Sequence, residues 1–86
     1  MYTADLTKQA VKSFKKIPKE SQKKIKEAIL KLEQNPLTSG TIKLANYPVA
    51  EYRKKVGDYS ILFDLDDDKK LLIIADIKRR TSTTYQ

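Results

Sequence analysis

The chain changes its hydrophobic periodicity near its middle, and this change constrains the fold more than any other feature of the sequence. Between residues 7 and 34, apolar residues recur at the spacing of an amphipathic helix, with an interruption at Pro18. From about residue 49 onward, apolar and polar residues alternate as they do in half-buried strands. The sequence therefore predicts two helices followed by a small sheet, which is an α+β fold.

The two predicted helices are joined by a tight turn at Pro18. Thr7 is a suitable N-cap for the first helix. The predicted apolar face of this helix consists of Ala10, Val11, Phe14 and Ile17. The second helix runs from about Lys19 to Gln34, where Asn35-Pro36 stops it. Its apolar face consists of Ile25, Ala28, Ile29 and Leu32. Such a pair forms an antiparallel helical hairpin.

Most predicted strands lie in the second half of the chain. Residues 1–6 form a short strand, and another can form at Thr41–Leu44. Three longer strands are predicted over Val49–Val56, Tyr59–Leu65 and Lys70–Ile77. In the middle one, the core face consists of Tyr59, Ile61, Phe63 and Leu65. A single domain spanning residues 1–86, in the order β-α-α-β-β-β, places the helical hairpin on one face of a small, mainly antiparallel sheet. The other face stays partly open.

Composition excludes several kinds of chemistry. The chain has no His and no Cys, so an imidazole base, a thiolate nucleophile and a thiolate or imidazole metal site are all impossible. Only two glycines are present, too few for a glycine-rich phosphate loop. We therefore expect no metal and no cofactor.

Charge and hydropathy constrain the partner and the location. Eighteen Lys and Arg residues against eleven Asp and Glu residues give a formal charge of +7, which favours an anionic partner. The sequence shows neither a signal peptide nor an apolar stretch long enough to span a bilayer. We expect a cytoplasmic protein without a membrane partner.

Basic residues gather at one end of the predicted sheet, away from an acidic turn. The basic residues are Arg53, Lys54, Lys55, Lys78, Arg79 and Arg80, and Tyr85 follows them. Fixed cations stabilise a phosphorane-like transition state, and neighbouring cations lower the pKa of a tyrosine, so this set suits RNA cleavage through the 2′-OH of the substrate. A structural interpretation also exists, because sheet edges carry cations to stay soluble and terminal residues are often disordered.

Several short segments occur along the chain in an order and at a spacing that are typical of one family. They are Lys15-Lys16-Ile17-Pro18, Leu32-Glu33-Gln34-Asn35-Pro36, Lys43-Leu44, Tyr52-Arg53-Lys54-Lys55-Val56-Gly57-Asp58-Tyr59, and Ile77-Lys78-Arg79-Arg80 with Tyr85. In this order they resemble the RelE/ParE toxins of type II toxin-antitoxin systems. The RelE branch implies a ribosome-dependent mRNA endonuclease that inhibits translation, and the ParE branch implies a non-nucleolytic inhibitor of DNA gyrase.

The resemblance to the RelE branch implies roles for individual residues. Arg53 and Lys55 would contact the scissile phosphate, Arg79 would stabilise transition-state charge, and Tyr85 would transfer a proton. The residues expected to bind RNA without taking part in the chemistry are Lys54, Lys78 and Arg80.

Two positions depart from the family pattern. Ser60 stands where the family commonly has Arg, and Lys78 stands where many relatives have His. The loss of the Arg should weaken phosphate stabilisation unless Lys54 or Arg80 replaces its charge.

The resemblance also implies partners. They are a cognate acidic antitoxin, the ribosome with its mRNA, and operator DNA reached only through the antitoxin complex. Two alternatives stay open on the sequence: the gyrase inhibitor, and a basic nucleic-acid-binding module without toxicity.

Overall fold

A computed structural model describes residues 1–37, 41–44 and 50–79. Its elements in chain order are β1 (Thr3–Leu6), α1 (Lys8–Lys15), α2 (Lys19–Gln34), β2 (Thr41–Lys43), β3 (Tyr52–Val56), β4 (Tyr59–Asp66) and β5 (Leu71–Arg79). The predicted α+β class is confirmed, and the short strand anticipated near residue 41 adds β2 to the predicted order. Neither helix in these ranges is long and apolar enough to cross a bilayer.

The strands form one five-stranded sheet in the order β1-β5-β4-β3-β2. β1 is parallel to β5, and the remaining neighbours are antiparallel, so the sheet is mainly antiparallel as predicted. The outer edge of β1 is covered by the end of α2, because Tyr2 N–H donates to the Glu33 carbonyl at 2.8 Å and Ala4 N–H donates to Glu33 Oε2 at 2.6 Å. Glu33 therefore supplies acceptors that a further strand would otherwise provide.

The helix boundaries agree with the local sequence signals. The Thr7 side chain accepts a hydrogen bond from Ala10 N–H at 3.2 Å and caps α1, and α2 has the predicted limits. The predicted place of Val11 on the apolar face of α1 was wrong, because its side chain is 38% exposed. Consecutive helical residues are about 100° apart, so Val11 turns toward solvent when Ala10 faces the sheet.

The core lies between the helical hairpin and one face of the sheet. Its fully buried larger side chains are Ile25, Leu32, Ile61, Phe63, Leu72 and Ile74. The core face predicted for β4 is confirmed at its three buried positions, Tyr59, Ile61 and Phe63, whereas Leu65 is only half-buried. The rings of Tyr52 and Phe63 stack with centroids 5.5 Å apart. β3 is thereby fixed to the same core. Both helices within the described residues lie on this side of the sheet, and neither lies on the opposite face.

A β-bulge interrupts the pairing of β5 with β4. Phe63 pairs with Ile74, whereas the preceding Leu62 pairs with Asp76, so Ala75 is an extra residue. The alternation of side chains is therefore inverted beyond Ala75. As a consequence, Ile77 pairs with Ile61 on the helix side and is buried.

The first helix holds this bulge in place. Thr7 Oγ1 donates to the Ala75 carbonyl at 2.8 Å, and Ser13 Oγ donates to Asp76 Oδ1 at 2.6 Å. Ile77 N–H donates to the same carboxylate oxygen at 2.8 Å. Asp76 is only 8% exposed, and these bonds supply the partners that a buried carboxylate needs.

Candidate functional site

Three basic residues share the open face of the sheet, which is the face opposite the helices. Lys55 pairs with Ser60, and Ser60 pairs with Lys78 on the next strand. Residues directly opposite each other on neighbouring strands lie on the same face, with Cβ atoms about 4.5–5.5 Å apart. Lys55, Ser60 and Lys78 therefore form one row, here called the open-face row. Arg53 pairs with Leu62 and lies on the same face, one row further from the β3–β4 turn.

One enclosed hydrogen-bond donor on this face is unused. Arg53 Nε is buried and has no hydrogen-bond partner within residues 1–37, 41–44 and 50–79. Ser60, at the centre of the row, is only 6% exposed. An enclosed donor without an acceptor is unfavourable, and an anionic ligand on this face would supply the acceptor.

Arg79 and Lys54 lie on the other face of the sheet. Arg79 pairs with Tyr59, and Lys54 pairs with Ile61, and both partners belong to the core face. Arg79 is nevertheless exposed, because it stands at the end of its strand. The structure thus brings Arg53, Lys55 and Lys78 together and separates Arg79 and Lys54 from them by register. Arg80 and Tyr85 lie outside the described residues.

The acidic turn has structural partners at the opposite end of the sheet. The Tyr2 hydroxyl donates to Asp67 Oδ1 at 2.5 Å, and this bond is the main reason that the pKa of Tyr2 is raised above its ordinary value. Asp66 Oδ1 accepts from Lys69 N–H at 3.2 Å, and Asp64 Oδ1 accepts from Glu51 N–H at 2.7 Å. These carboxylates order turns and loops, and the described part of the chain contains no group of three or more acidic residues placed to hold a metal ion.

Sequence reasoning missed the contribution of Lys78 to the open face. Simple alternation from Leu72 and Ile74 would have put Arg79 on that face, and the bulge at Ala75 replaces it with Lys78. One signal was present in the sequence: Asp76 interrupts an otherwise apolar strand. A buried acidic residue needs a local partner and can therefore mark an irregularity.

Comparison with known proteins defines the class. The family model described as "ParE toxin of type II toxin-antitoxin system, parDE" matches residues 4–83. The chain belongs to this family, and the recognition of a RelE/ParE toxin from the sequence is confirmed. No curated protein matches the sequence.

Solved structures of toxins share the fold. The RelBE2 toxin-antitoxin complex of Mycobacterium tuberculosis matches with a TM-score of 0.82 and 22% identity, covering 92% of this chain and 98% of that chain. An archaeal RelE-RelB complex from Pyrococcus horikoshii matches with a TM-score of 0.80 and 27% identity, covering 95% and 98%. The YoeB-YefM complex from Staphylococcus aureus matches with a TM-score of 0.72 and 20% identity, covering 94% and 99%.

Proposed function

We propose that this toxin inhibits translation by cutting mRNA on the ribosome, with the open face of the sheet as its phosphate-binding surface. The observation that carries the proposal is the open-face row, with Arg53 beside it on the same face. Cations fixed on neighbouring strands require little reorganisation when charge develops on a phosphoryl group. The unpaired Arg53 Nε adds a directed donor to that field.

Lys78 is proposed to replace the charge that Ser60 lacks. Both residues occupy one row, so the ammonium group of Lys78 can reach the space above the Ser60 hydroxyl. Lys54, which the sequence offered as a replacement, pairs with Ile61 on the helix side. We retain Lys54 and Arg80 as RNA-binding residues outside the open-face row.

Arg79 and Tyr85 keep their proposed chemical roles. Arg79 is exposed at the end of β5, directly after Lys78, and would stabilise transition-state charge from the end of the sheet. Tyr85 would transfer the proton, since the chain has no imidazole to do so. Neither role requires a metal or a cofactor.

The proposed protein partner is an acidic antitoxin. RelE and YoeB structures that share this fold contain the antitoxins RelB and YefM. The formal charge of +7 favours an acidic partner for this chain as well. Operator DNA would be bound only through that complex, and the ribosome with its mRNA would be the target of the free toxin.

Primer extension on translating mRNA tests the nuclease. We expect codon-phased cuts with the wild-type protein and a loss of about tenfold or more in cutting with Lys78→Ala, Lys55→Ala or Arg53→Ala. Arg79→Ala and Tyr85→Phe test the transition-state and proton-transfer roles. Lys69→Ala is the matched control, because it removes an exposed cation from the acidic turn at the other end of the sheet. Absence of cuts, or equal cuts by all variants, would refute the proposal.

A gyrase inhibitor is the second candidate. The matching family model is that of ParE, and Ser60 leaves the centre of the open-face row without a charge of its own. A surface inhibitor needs no complete phosphate site. Inhibition of DNA supercoiling by the purified protein, with translating mRNA left intact, would favour this candidate; unaffected gyrase at excess protein would eliminate it. If induction fails to arrest growth, both toxin activities are excluded in favour of a non-toxic nucleic-acid-binding module.

A further inference from the structure

The open face carries an exposed apolar side chain beside the open-face row. Ile42 is the middle residue of β2, a strand at the edge of the sheet, and it is 49% exposed. Ile42 pairs with Arg53, and Arg53 pairs with Leu62 on β4. Paired residues share a face, so Ile42, Arg53 and Leu62 form a second row on the open face, here called the apolar row. None of the roles proposed above uses Ile42.

The two rows are close enough for one nucleotide to contact both. Arg53 and Lys55 are two residues apart on β3, which corresponds to about 7 Å along a strand. Ile42 and Lys55 are diagonal neighbours across β2 and β3, a geometry that places such residues about 7–8 Å apart. A nucleotide whose phosphate lies on the open-face row therefore has its base within reach of Ile42.

Arg53 is able to contact a base as well as a phosphate. Its pairing partners on both neighbouring strands, Ile42 and Leu62, are apolar, and its Nε has no hydrogen-bond partner within the described residues. The Asp76 carboxylate, which lies beyond Leu62, is engaged by α1. A guanidinium group has five N–H donors in one plane, and that plane also stacks on bases. Arg53 can therefore hold a phosphate through its donors while a base lies against its face.

A carboxylate on the far side of Arg53 makes a second phosphate unfavourable there. Asp64 lies two residues beyond Leu62 on β4, on the same face, and is diagonal to Arg53. Its Oδ1 accepts from the Glu51 N–H at 2.7 Å, so the negative charge is held in place. This charge repels a phosphate, whereas a base is neutral. The charge pattern thus favours a base over a second phosphate beside Ile42.

We propose that Ile42 and Arg53 form a base-binding subsite, in which the base of the nucleotide held on the open-face row packs flat against Ile42 and the Arg53 guanidinium. An apolar side chain and a guanidinium plane both accept the flat face of any base, so the contact tolerates different sequences. The subsite rests on the proposed function, because a phosphate on the open-face row sets its position. It gives the nuclease a contact that fixes which nucleotide lies at the cations.

Strands without bases test the contact. Fluorescence anisotropy measures how tightly the purified protein binds a short single-stranded RNA and an abasic ribose-phosphate strand of the same length. Ile42→Ala should weaken binding of the RNA about fivefold and leave binding of the abasic strand unchanged. Leu30→Ala is the matched control, since it removes an exposed apolar side chain from α2 on the other side of the sheet. Equal losses for the two strands, or no loss for either, would overturn the proposal.

A second variant separates loss of the contact from loss of the strand. Ile42→Thr keeps the β-branched shape that strands favour but removes part of the apolar surface, so β2 should be retained. It should reduce the preference for RNA over the abasic strand in the same direction as Ile42→Ala. If Ile42→Thr keeps the full preference, strand propensity explains the alanine result and the base contact is overturned.

The same variants distinguish a failure of the subsite from a failure of the nuclease. If translating mRNA is not cut but the preference for RNA over the abasic strand depends on Ile42, the subsite stands and the nuclease does not. If mRNA is cut and Ile42→Ala leaves that preference unchanged, the nuclease stands and the subsite is overturned. If Ile42→Ala instead converts a dimer into a monomer in sedimentation and leaves the preference unchanged, Ile42 belongs to an interface between copies of the chain, which also overturns the subsite.

Discussion

The two halves of β5 follow different rules. Residues 71–74 are paired with β1 on one side and β4 on the other, and Leu72 and Ile74 point to the core by simple alternation. Residues 76–79 extend past β1, and α1 replaces a strand at that side through Thr7 and Ser13. A ladder on both sides enforces alternation, whereas a helix with polar side chains can satisfy the groups that a bulge leaves unpaired.

The largest expected effect on stability lies in residues 71–74 of β5, here called the regular half because its side chains alternate without a bulge. Leu72→Ala should lower the free energy of unfolding by about 2–5 kcal/mol, because Leu72 is fully buried and its truncation leaves a cavity. Urea denaturation measures this loss. Ile73→Ala, on the neighbouring half-buried position, is the matched control and should cost clearly less. Equal losses would contradict the alternation assigned to this half.

The next largest effect on stability concerns the Asp76 carboxylate, which lies in residues 76–79 of β5, here called the irregular half because it follows the bulge. Asp76→Ala should lower the free energy of unfolding by about 1–3 kcal/mol, because Ser13 O–H and Ile77 N–H both lose their acceptor. The test is a double-mutant cycle with Ser13→Ala, measured by urea denaturation. Strictly additive losses would show that the Ser13–Asp76 bond does not hold the bulge.

A smaller effect is expected at the start of α1. Thr7→Ala removes both the cap on Ala10 N–H and the bond to the Ala75 carbonyl, and should lower the free energy of unfolding by about 0.5–2 kcal/mol. Thr7→Ser retains the hydroxyl and should restore most of the loss in thermal unfolding. If the serine variant is as unstable as the alanine variant, the hydroxyl is not the stabilising group.

The smallest effect lies at the acidic turn beside the regular half. The hydrogen bond to Asp67 and, secondarily, the removal of water raise the pKa of Tyr2 above 10.0. A raised pKa means that the neutral phenol stabilises the fold below pH 10.0 and that this contribution disappears as the pH rises through the folded-state pKa.

Spectrophotometric titration of the tyrosines checks that the pKa of Tyr2 is raised. The high-pH absorbance step of the wild type minus that of Tyr2→Phe should report a pKa above 10.0, and Asp67→Asn should lower it. Stability of the wild type relative to Tyr2→Phe should decline only at alkaline pH. A difference that declines between neutral and mildly acidic pH would contradict the assigned bond.

Much of the fold could be predicted because its signals are local. Thr7, Pro18 and Asn35-Pro36 delimit the helices through side-chain capping and backbone sterics within a few residues, and α2 has the predicted limits. The strand limits were less accurate: of the strand predicted over Val49–Val56, Ala50 and Glu51 do not belong to β3, which begins at Tyr52, because pairing partners decide where a strand starts. Val49 lies outside the described residues. Val11 was misplaced because a stripe of apolar residues does not define which of them touches the sheet.

The candidate site was also predictable in part, because some of its geometry follows from local sequence signals. Arg53 and Lys55 alternate within one strand, so their common face follows from the sequence alone. The burial of Ser60 between Lys55 and Lys78 depends on three strands and could not be read from one.

By itself, the sequence determined an α+β toxin fold with a cationic end and no imidazole or thiol chemistry. The tertiary structure decided which cation joins the open face. That decision depends on the bulge at Ala75, which inverts the alternation so that Lys78, not Arg79, stands beside Ser60. Its physical cause is non-local: Thr7 and Ser13, on a helix more than sixty residues away in the chain, satisfy the polar groups that the bulge exposes.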